Sequence, residues 1–338
     1  MVKIGAFQEY KINLQALHEY LPWGGLIHPK IIKNKDESLM GFITYKSLNT
    51  ITIPNAKINT FGNGWALWIE KQHFNNENQY MVTLCWNPFF DANNFVSNTF
   101  DKKKIDRSNT VNYFLGILQQ LQEDLSFVVT CNILENAEIL SYLASTISTC
   151  KESFELPEVP LYLDALLSQD VDFKMSHNNV ININNKIVSV VTLLNFPDVP
   201  IMGSLFEEFK QYTYRFSRRF LFLSEKSAQK ELKNYTSTWC SGRSAMLKFM
   251  RDGLLGELNG YHTNAFVFLA DEEESKRILK KVAEVLQCME LPYIIENYNR
   301  KDTWWGSLPG LFRANITPPL TFVTHLGELL LVPEEEEK

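Results

Sequence analysis

The sequence lacks the short motifs by which common nucleotide and metal sites are recognised. It has no Gly-Lys dipeptide, which excludes a P-loop, and no G-x-G-x-x-G segment follows a predicted strand. H-E-x-x-H, the nucleophile elbow and the EF-hand loop are missing as well. We therefore expect no catalytic residue, no metal site and no cofactor site in this chain.

Cysteine is scarce, and its pattern points away from disulfides. The five cysteines are odd in number and widely scattered, without a C-x-x-C pair. This usage is typical of reduced and mostly buried thiols. The six histidines are isolated from one another in the sequence, so we expect surface or core residues rather than metal ligands.

Long apolar runs and excess positive charge are also missing. No window approaches the ~18 continuous apolar residues of a membrane-spanning helix, and the segment after Met1 does not resemble a secretory signal. We expect a cytoplasmic chain that is at most peripheral to a membrane. The net charge of -6 argues against a non-specific nucleic-acid coat.

The first half of the 338 residues reads as strands followed by helices. Segments 39–48, 64–74 and 80–86 are rich in β-branched and aromatic residues and predict a small antiparallel sheet. Segments 111–125 and 136–148 have apolar residues at helical spacing. Two prolines in ELPEVPLYLDALLSQD favour a domain boundary there, so we assign residues 1–155 to an N-terminal mixed lobe.

The second half predicts a ferredoxin-like lobe at 156–332, followed by an acidic tail at 333–338. Its predicted elements are strand 187–197, helix 202–209, strand 212–224, a helical arm at about 225–258, strand 260–270, a helix capped by Asp271, and strand 291–298. Without the arm this is the βαββαβ order of a split βαβ unit. The predicted fold class is α+β, with two sheet-containing lobes.

The strand YTYRFSRRFLFL combines arginines with aromatic residues, as nucleic-acid and phosphate contacts often do. Alternation places Arg215, Ser217 and Arg219 on one face and Arg218 on the other, among aromatics. We favour a half-buried strand with a charged outer face. Arg218 then needs a carboxylate, a cation–π contact or a bulge.

The segment KDTWWGSLPG, residues 301–310, has three interpretations: a phosphate cradle, a serine nucleophile or a packed turn. Pro309 removes one N–H from a cradle, and Ser307 has no histidine or lysine base in a recognisable pattern. A rigid turn is favoured. Trp304 and Trp305 would anchor it, while Gly306 and Gly310 would permit its backbone conformation.

Taken in order, these segments resemble the N-terminal region of the CagE/TrbE/VirB component family, the large conjugation and type IV secretion ATPases. The resemblance rests on YTYRFSRRFLFLSEKSA, on residues 260–299, on TWWGSLPG and, upstream, on GWALWIE, YMVTLCWNP, LDALL and VVTLLNFP. Tyr214, Arg215, Arg219 and Phe220 match the family's Tyr-Arg-x-x-x-Arg-Phe pattern. Gly306 to Gly310 match its Gly-Ser-Leu-Pro-Gly turn.

The resemblance implies an assembly or docking domain that anchors a motor at the cytoplasmic face of the bacterial inner membrane. Implied partners are inner-membrane subunits, the RecA-like motor domain and further copies of the chain, as a dimer or hexamer. Trp239, Met246, Phe249 and Met250 are candidates for a contact surface, with internal packing of the arm as the alternative.

The chain departs from the family where the motor domain would follow, since it stops at LLLVPEEEEK without Walker motifs. ATP and magnesium are therefore expected only for the missing motor domain, which makes the intact family member an ATPase. Two alternatives stay open. The chain is part of an active ATPase, or it handles single-stranded DNA through the strand from Arg215 to Arg219.

Overall fold

A computed structural model describes most of the chain. The described residues are 16–46, 61–74, 76–91, 107–127, 129–148, 153–159, 161–176, 179–194, 199–224, 226–231, 259–311 and 320–322. Among them, no helix is both long enough and apolar enough to cross a membrane. The predicted acidic tail and most of the predicted helical arm lie outside the described residues.

Strands dominate the described structure. They are β1 (Trp23–His28), β2 (Ile31–Asn34), β3 (Leu39–Lys46), β4 (Trp65–Phe74), β5 (Glu77–Trp86), β6 (Thr130–Ile133), β7 (Phe173–Met175), β8 (Ile181–Ile183), β9 (Lys186–Leu193), β10 (Tyr214–Phe222), β11 (Asn259–Ala270), β12 (Tyr293–Ile295) and β13 (Leu320–Phe322). The longest of them, β4, β5, β10 and β11, are rich in the aromatic and β-branched residues that fit a pleated surface.

Helices connect these strands. They are α1 (Pro88–Asp91), α2 (Arg107–Ser126), α3 (Ala137–Ser148), α4 (Leu163–Ser168), α5 (Val199–Phe209), α6 (Glu272–Cys288) and α7 (Arg300–Ser307), with a 3₁₀ turn at Leu17–Glu19. The predicted cap of α6 is confirmed, because the Asp271 side chain accepts a hydrogen bond from the Glu274 N–H. Its predicted apolar stripe faces the core through Ile278, Val282, Val285 and Leu286.

All described strands belong to one antiparallel sheet. Its order is β1-β2-β3-β5-β4-β10-β11-β9-β8-β7, with β6 on β3, β12 on β9 and β13 on β11. This corrects the prediction of two sheet-containing lobes, because β10 of the second half pairs with β4 of the first from Tyr214 to Leu221. The β4 edge that β5 leaves free carries backbone donors and acceptors, and β10 satisfies them.

Helices cover both faces of the sheet. We call the face that carries Arg215, Ser217 and Arg219 the α7 face, since α3, α4 and α7 contribute to its core. The opposite face, which carries Tyr214, Phe216, Arg218, Phe220 and Phe222, is the aromatic face. There α2 packs over one half of the sheet, and α5 and α6 pack over the other.

Most long elements predicted from the sequence are confirmed, and several short strands were missed. The strands predicted at 39–48, 64–74 and 80–86 are β3, β4 and β5, and both first-half helices form as α2 and α3. Strands β2, β6, β7 and β8 have three or four residues each. Such lengths are too short for alternation to mark them. The boundary proposed at residue 155 stays a prediction.

Candidate functional site

The candidate site is built on β10, the strand between β4 and β11 in the middle of the sheet. Because helices cover both faces, its three arginines are almost completely enclosed: Arg215 is 0%, Arg218 5% and Arg219 2% exposed. The predicted charged outer face is therefore wrong. Alternation assigned the arginines to the correct faces, but sequence alone did not show that α3 and α7 cover the α7 face.

Arg215 forms a buried ion pair with Glu70 of β4. Its Nη1 donates to the Glu70 carboxylate at 2.5 Å, and both side chains are fully buried. The Tyr142 hydroxyl of α3 donates to the other carboxylate oxygen. Removing one partner of such a pair typically costs about 3–5 kcal/mol, because the other charge is left in a low dielectric.

Tyr142 stays protonated in this environment and therefore keeps its role as a donor. Burial raises the pKa of its phenol well above the usual value, and the negative charge of Glu70 raises it further. Glu70 is thus held by a guanidinium from one side and a neutral hydroxyl from the other. The arrangement joins β4, β10 and α3 at one point on the α7 face.

The 301–310 segment is mainly a helix, which corrects the predicted turn. Helix α7 extends through Ser307, and only the following residues turn. The Ser307 carbonyl accepts from Arg215 at 2.9 Å and from the Ser217 hydroxyl at 3.2 Å. Its hydroxyl accepts from Arg215 at 2.6 Å and donates to the Trp304 carbonyl at 2.6 Å.

The chain after α7 is held in the same way. The indole N–H of Trp23 donates to the Pro309 carbonyl at 3.0 Å, and Arg219 donates to the Leu311 carbonyl at 2.9 Å. Gly310 has φ +95, and a Cβ there would lie 2.7 Å from the Asn34 Nδ2. We call this set, in which side chains of β1 and β10 hold the carbonyls of residues 307, 309 and 311, the 307–311 clamp.

Two tryptophans fix α7 itself, as predicted for anchors. Trp304 is buried and stacks on Phe173 with ring centroids 6.0 Å apart. Trp305 donates its indole N–H to the Tyr20 carbonyl and meets the Tyr20 ring edge-on at 5.8 Å. Gly306, the next residue, is buried. The helix is therefore held at its tryptophans as well as at its C-terminal end.

On the aromatic face, charge is met by rings. The Arg218 guanidinium lies 5.2 Å from the Phe216 ring centre, which confirms one of the three contacts predicted for it. Burial lowers the pKa of Arg218 to about 10. The Lys71 ammonium lies 4.3 Å from the centre of the Phe206 ring.

The chemistry of the clamp is structural. The Ser307 hydroxyl directs its proton at a backbone carbonyl, so no base activates it as a nucleophile. Within the residues that the structure describes, no group of three His, Cys, Asp or Glu residues could hold a metal ion. Cys85, Cys131 and Cys288 are free thiols, and the first two are buried.

The structure brings eight predicted site residues together around the clamp: Arg215, Arg219, Trp304, Trp305, Gly306, Ser307, Pro309 and Gly310. The predicted contact surface of Trp239, Met246, Phe249 and Met250 lies outside the described residues. Sequence reasoning missed Glu70, Tyr142 and Trp23 as members of the site. A lone carboxylate in the apolar strand WALWIE was the available signal for Glu70, because a buried charge requires a partner.

Curated relatives of the chain are conjugal transfer proteins. It is 21% identical over 417 aligned residues to the conjugal transfer protein TrbE of Rhizobium radiobacter, covering 96% of this chain and 50% of that protein. It is 24% identical over 221 residues to a probable conjugal transfer protein TrbE of Sinorhizobium fredii, covering 57% of this chain and 32% of that protein. The chain thus spans half or less of these relatives' lengths.

Other comparisons add nothing to this. No protein-family model matches the chain. Similar solved structures include berberine bridge enzyme-like protein 28 of Arabidopsis thaliana, at 12% identity and TM-score 0.30, covering 77% of this chain and 45% of that one. Berberine bridge enzyme of Eschscholzia californica has 12% identity and TM-score 0.27, covering 77% and 42%. TM-scores this low carry no argument about fold or function.

Proposed function

Since the chain is a homologue of the TrbE conjugal transfer proteins, as its motifs predicted, we propose that it is the assembly and docking region of a conjugation or type IV secretion component. In this role it anchors a RecA-like motor to the inner-membrane complex. ATP and magnesium are assigned to that motor rather than to residues 1–338. The proposed location is the cytoplasmic side of the bacterial inner membrane, as a peripheral protein.

The observation that carries the proposal is the 307–311 clamp. Residues that match the family's Gly-Ser-Leu-Pro-Gly pattern form the end of α7 and the chain that leaves it, and side chains from β1 and β10 hold three carbonyls there. A fixed exit direction suits a region that must hold a following domain in place. The same residues offer no exposed nucleophile or base.

The second half of the sheet supports the finer assignment of a ferredoxin-like unit. Its elements follow as β9, α5, β10, β11, α6 and β12, and its strands lie in the order β12-β9-β11-β10. Helices α5 and α6 pack on the same face of these strands. We propose that this unit forms one half of a continuous sheet instead of a separate lobe.

The alternative of single-stranded DNA handling lacks support in the described structure. Arg215 and Arg219 are buried and donate to protein oxygens, so their guanidinium groups do not face solvent phosphates. No described feature favours ATP turnover by this chain. We propose inner-membrane subunits, the motor domain and copies of the chain, as a dimer or hexamer, as partners.

Co-sedimentation tests the docking role. The purified chain is mixed with inner-membrane vesicles from cells that express the cognate conjugation genes, and with vesicles from cells that lack them. We expect sedimentation only with the first, and no ATP hydrolysis by the chain alone. Equal sedimentation with both, or turnover of ATP by the purified chain, would contradict the proposal.

A further inference from the structure

An apolar groove opens beside α4. Its volume is about 620 Å³, and its apolar lining includes Leu17, Leu161, Tyr162, Leu166, Val171 and Phe173. We call it the α4 groove. Phe173 also stacks on Trp304, so this residue links the groove to α7 and the 307–311 clamp.

Apolar side chains stand exposed along the segment that enters α4. Val159 is 64% and Tyr162 74% exposed, and Leu156 and Leu161 are exposed as well. Contiguous exposed apolar residues mark interaction sites more often than scattered ones do. Leu161 also bridges to Gly25 of the edge strand β1, so this patch adjoins the edge of the sheet.

Tyr162 has an unusual backbone. It precedes α4 with φ 56 and ψ 47, in the left-handed region that favours glycine, and its side chain makes no capping hydrogen bond. A bulky residue in that region is an outlier, and such strain clusters at functional sites. The conformation directs an aromatic ring outward at the rim of the groove.

The surroundings of the groove are acidic. Glu19, Glu155, Glu158 and Asp170 are exposed and form no salt bridge within the described ranges. The nearby lysines are already paired, Lys35 with Asp164 at 2.7 Å and Lys174 with Asp172 at 2.6 Å. An occupant of the groove therefore meets an apolar floor and a rim of unpaired carboxylates.

We propose that the α4 groove receives a basic amphipathic segment from the cytoplasmic flank of a membrane-anchored partner. The apolar side of such a segment fills the groove, and its lysines and arginines face the carboxylates. Cytoplasmic flanks of membrane proteins are rich in lysine and arginine. The same rim repels the anionic surface of the membrane, which favours a protein partner over lipid. The inference rests on the proposed docking function.

A designed peptide tests the chemistry of the groove. The probe is a peptide of about 18 residues with leucines at helical spacing and lysines elsewhere. One control peptide has glutamate in place of lysine, and another has the same composition in scrambled order. Fluorescence anisotropy with the full chain measures the affinities. We expect the lysine peptide to bind at least about tenfold more tightly than either control.

The variants are chosen to keep the fold. Tyr162→Gly removes the ring while suiting the left-handed backbone, and we expect about a tenfold loss of peptide affinity with no loss of stability. The Glu155→Gln and Glu158→Gln pair should weaken binding and reduce its salt dependence. Phe127→Ser is the matched control, because Phe127 is also an exposed aromatic and lies far from this segment in the sequence.

Several outcomes would overturn the inference. They are equal binding of the glutamate peptide, binding unchanged in Tyr162→Gly, or an equal loss in Phe127→Ser. Binding to anionic phosphatidylglycerol vesicles that Tyr162→Gly abolishes would replace the partner segment by lipid. In the co-sedimentation experiment, wild-type docking that Tyr162→Gly leaves intact contradicts only the groove, whereas absence of wild-type docking contradicts the proposed function.

Discussion

The two faces of β10 solve the same problem in different ways. Arg215 and Arg218 are three residues apart on one strand, and both are buried. On the α7 face, Arg215 donates to a carboxylate, a carbonyl and a hydroxyl. On the aromatic face, the guanidinium of Arg218 lies against the Phe216 ring.

The difference shows which of the two arginines organises the structure. Hydrogen bonds to fixed acceptors depend on direction, so Arg215 fixes β4, α3 and α7 relative to one another. A cation over a ring depends less on direction and contributes less. We therefore expect the α7 face to be sensitive to loss of charge, and the aromatic face to tolerate an apolar replacement.

The largest effect is expected for Arg215→Met. It leaves the Glu70 carboxylate buried without its cation, which should lower the free energy of unfolding by about 3–5 kcal/mol. Urea denaturation measures the change. The control is the double variant Arg215→Met with Glu70→Leu, which removes both charges and should recover much of the loss. A double variant no more stable than Arg215→Met would contradict the ion-pair explanation.

Gly310→Ala should cost about 2 kcal/mol, since its φ of +95 disfavours a side chain and the new Cβ would crowd Asn34. Gly116→Ala is the matched control. Gly116 lies within α2, where an added methyl group would meet open space. Alanine there should stabilise the helix by about 0.5–1 kcal/mol. Urea midpoints of both variants measure this, and opposite signs are expected.

Acid sensitivity should come partly from His262. Burial lowers the pKa of its imidazole well below the usual value, and the charges of Arg218 and Arg219 lower it further. Below pH ~6.5 the unfolded chain therefore binds a proton that the folded chain does not, and stability falls by at most about 1.4 kcal/mol per pH unit.

The test compares unfolding free energies at pH 7.5 and 5.5 for the wild type and His262→Gln. The variant should lose less stability over this interval, by roughly 1 kcal/mol. His18→Gln, at an exposed position, serves as the control. An identical loss in the wild type and His262→Gln would show that the buried imidazole does not contribute.

The smallest effect is expected for Arg218→Met. The substitution loses the contact with Phe216 but also relieves the desolvation of a buried cation, so the net cost should be about 1 kcal/mol or less. Urea denaturation under the conditions used for Arg215→Met gives the comparison. A cost equal to that of Arg215→Met would remove the distinction between the two faces.

Sequence patterns found the long elements and several members of the site. Alternation separated Arg215 and Arg219 from Arg218, and apolar spacing identified α2, α3 and α6. The anchoring role of Trp304 and Trp305 also followed from the sequence. The helical state of residues 300–307 did not, because Gly306 disfavours a helix and only the packing of the tryptophans offsets it.

By itself, the sequence determined which residues alternate along β10, where α6 begins, and that the chain resembles conjugal transfer proteins. These features are local or depend on the order of segments. Only the tertiary structure decided that β10 joins β4, that Glu70 and Tyr142 meet Arg215, and that the carbonyls after α7 are held by side chains. Such contacts join residues far apart in sequence, and no spacing rule records which strand edges pair or which helices cover them.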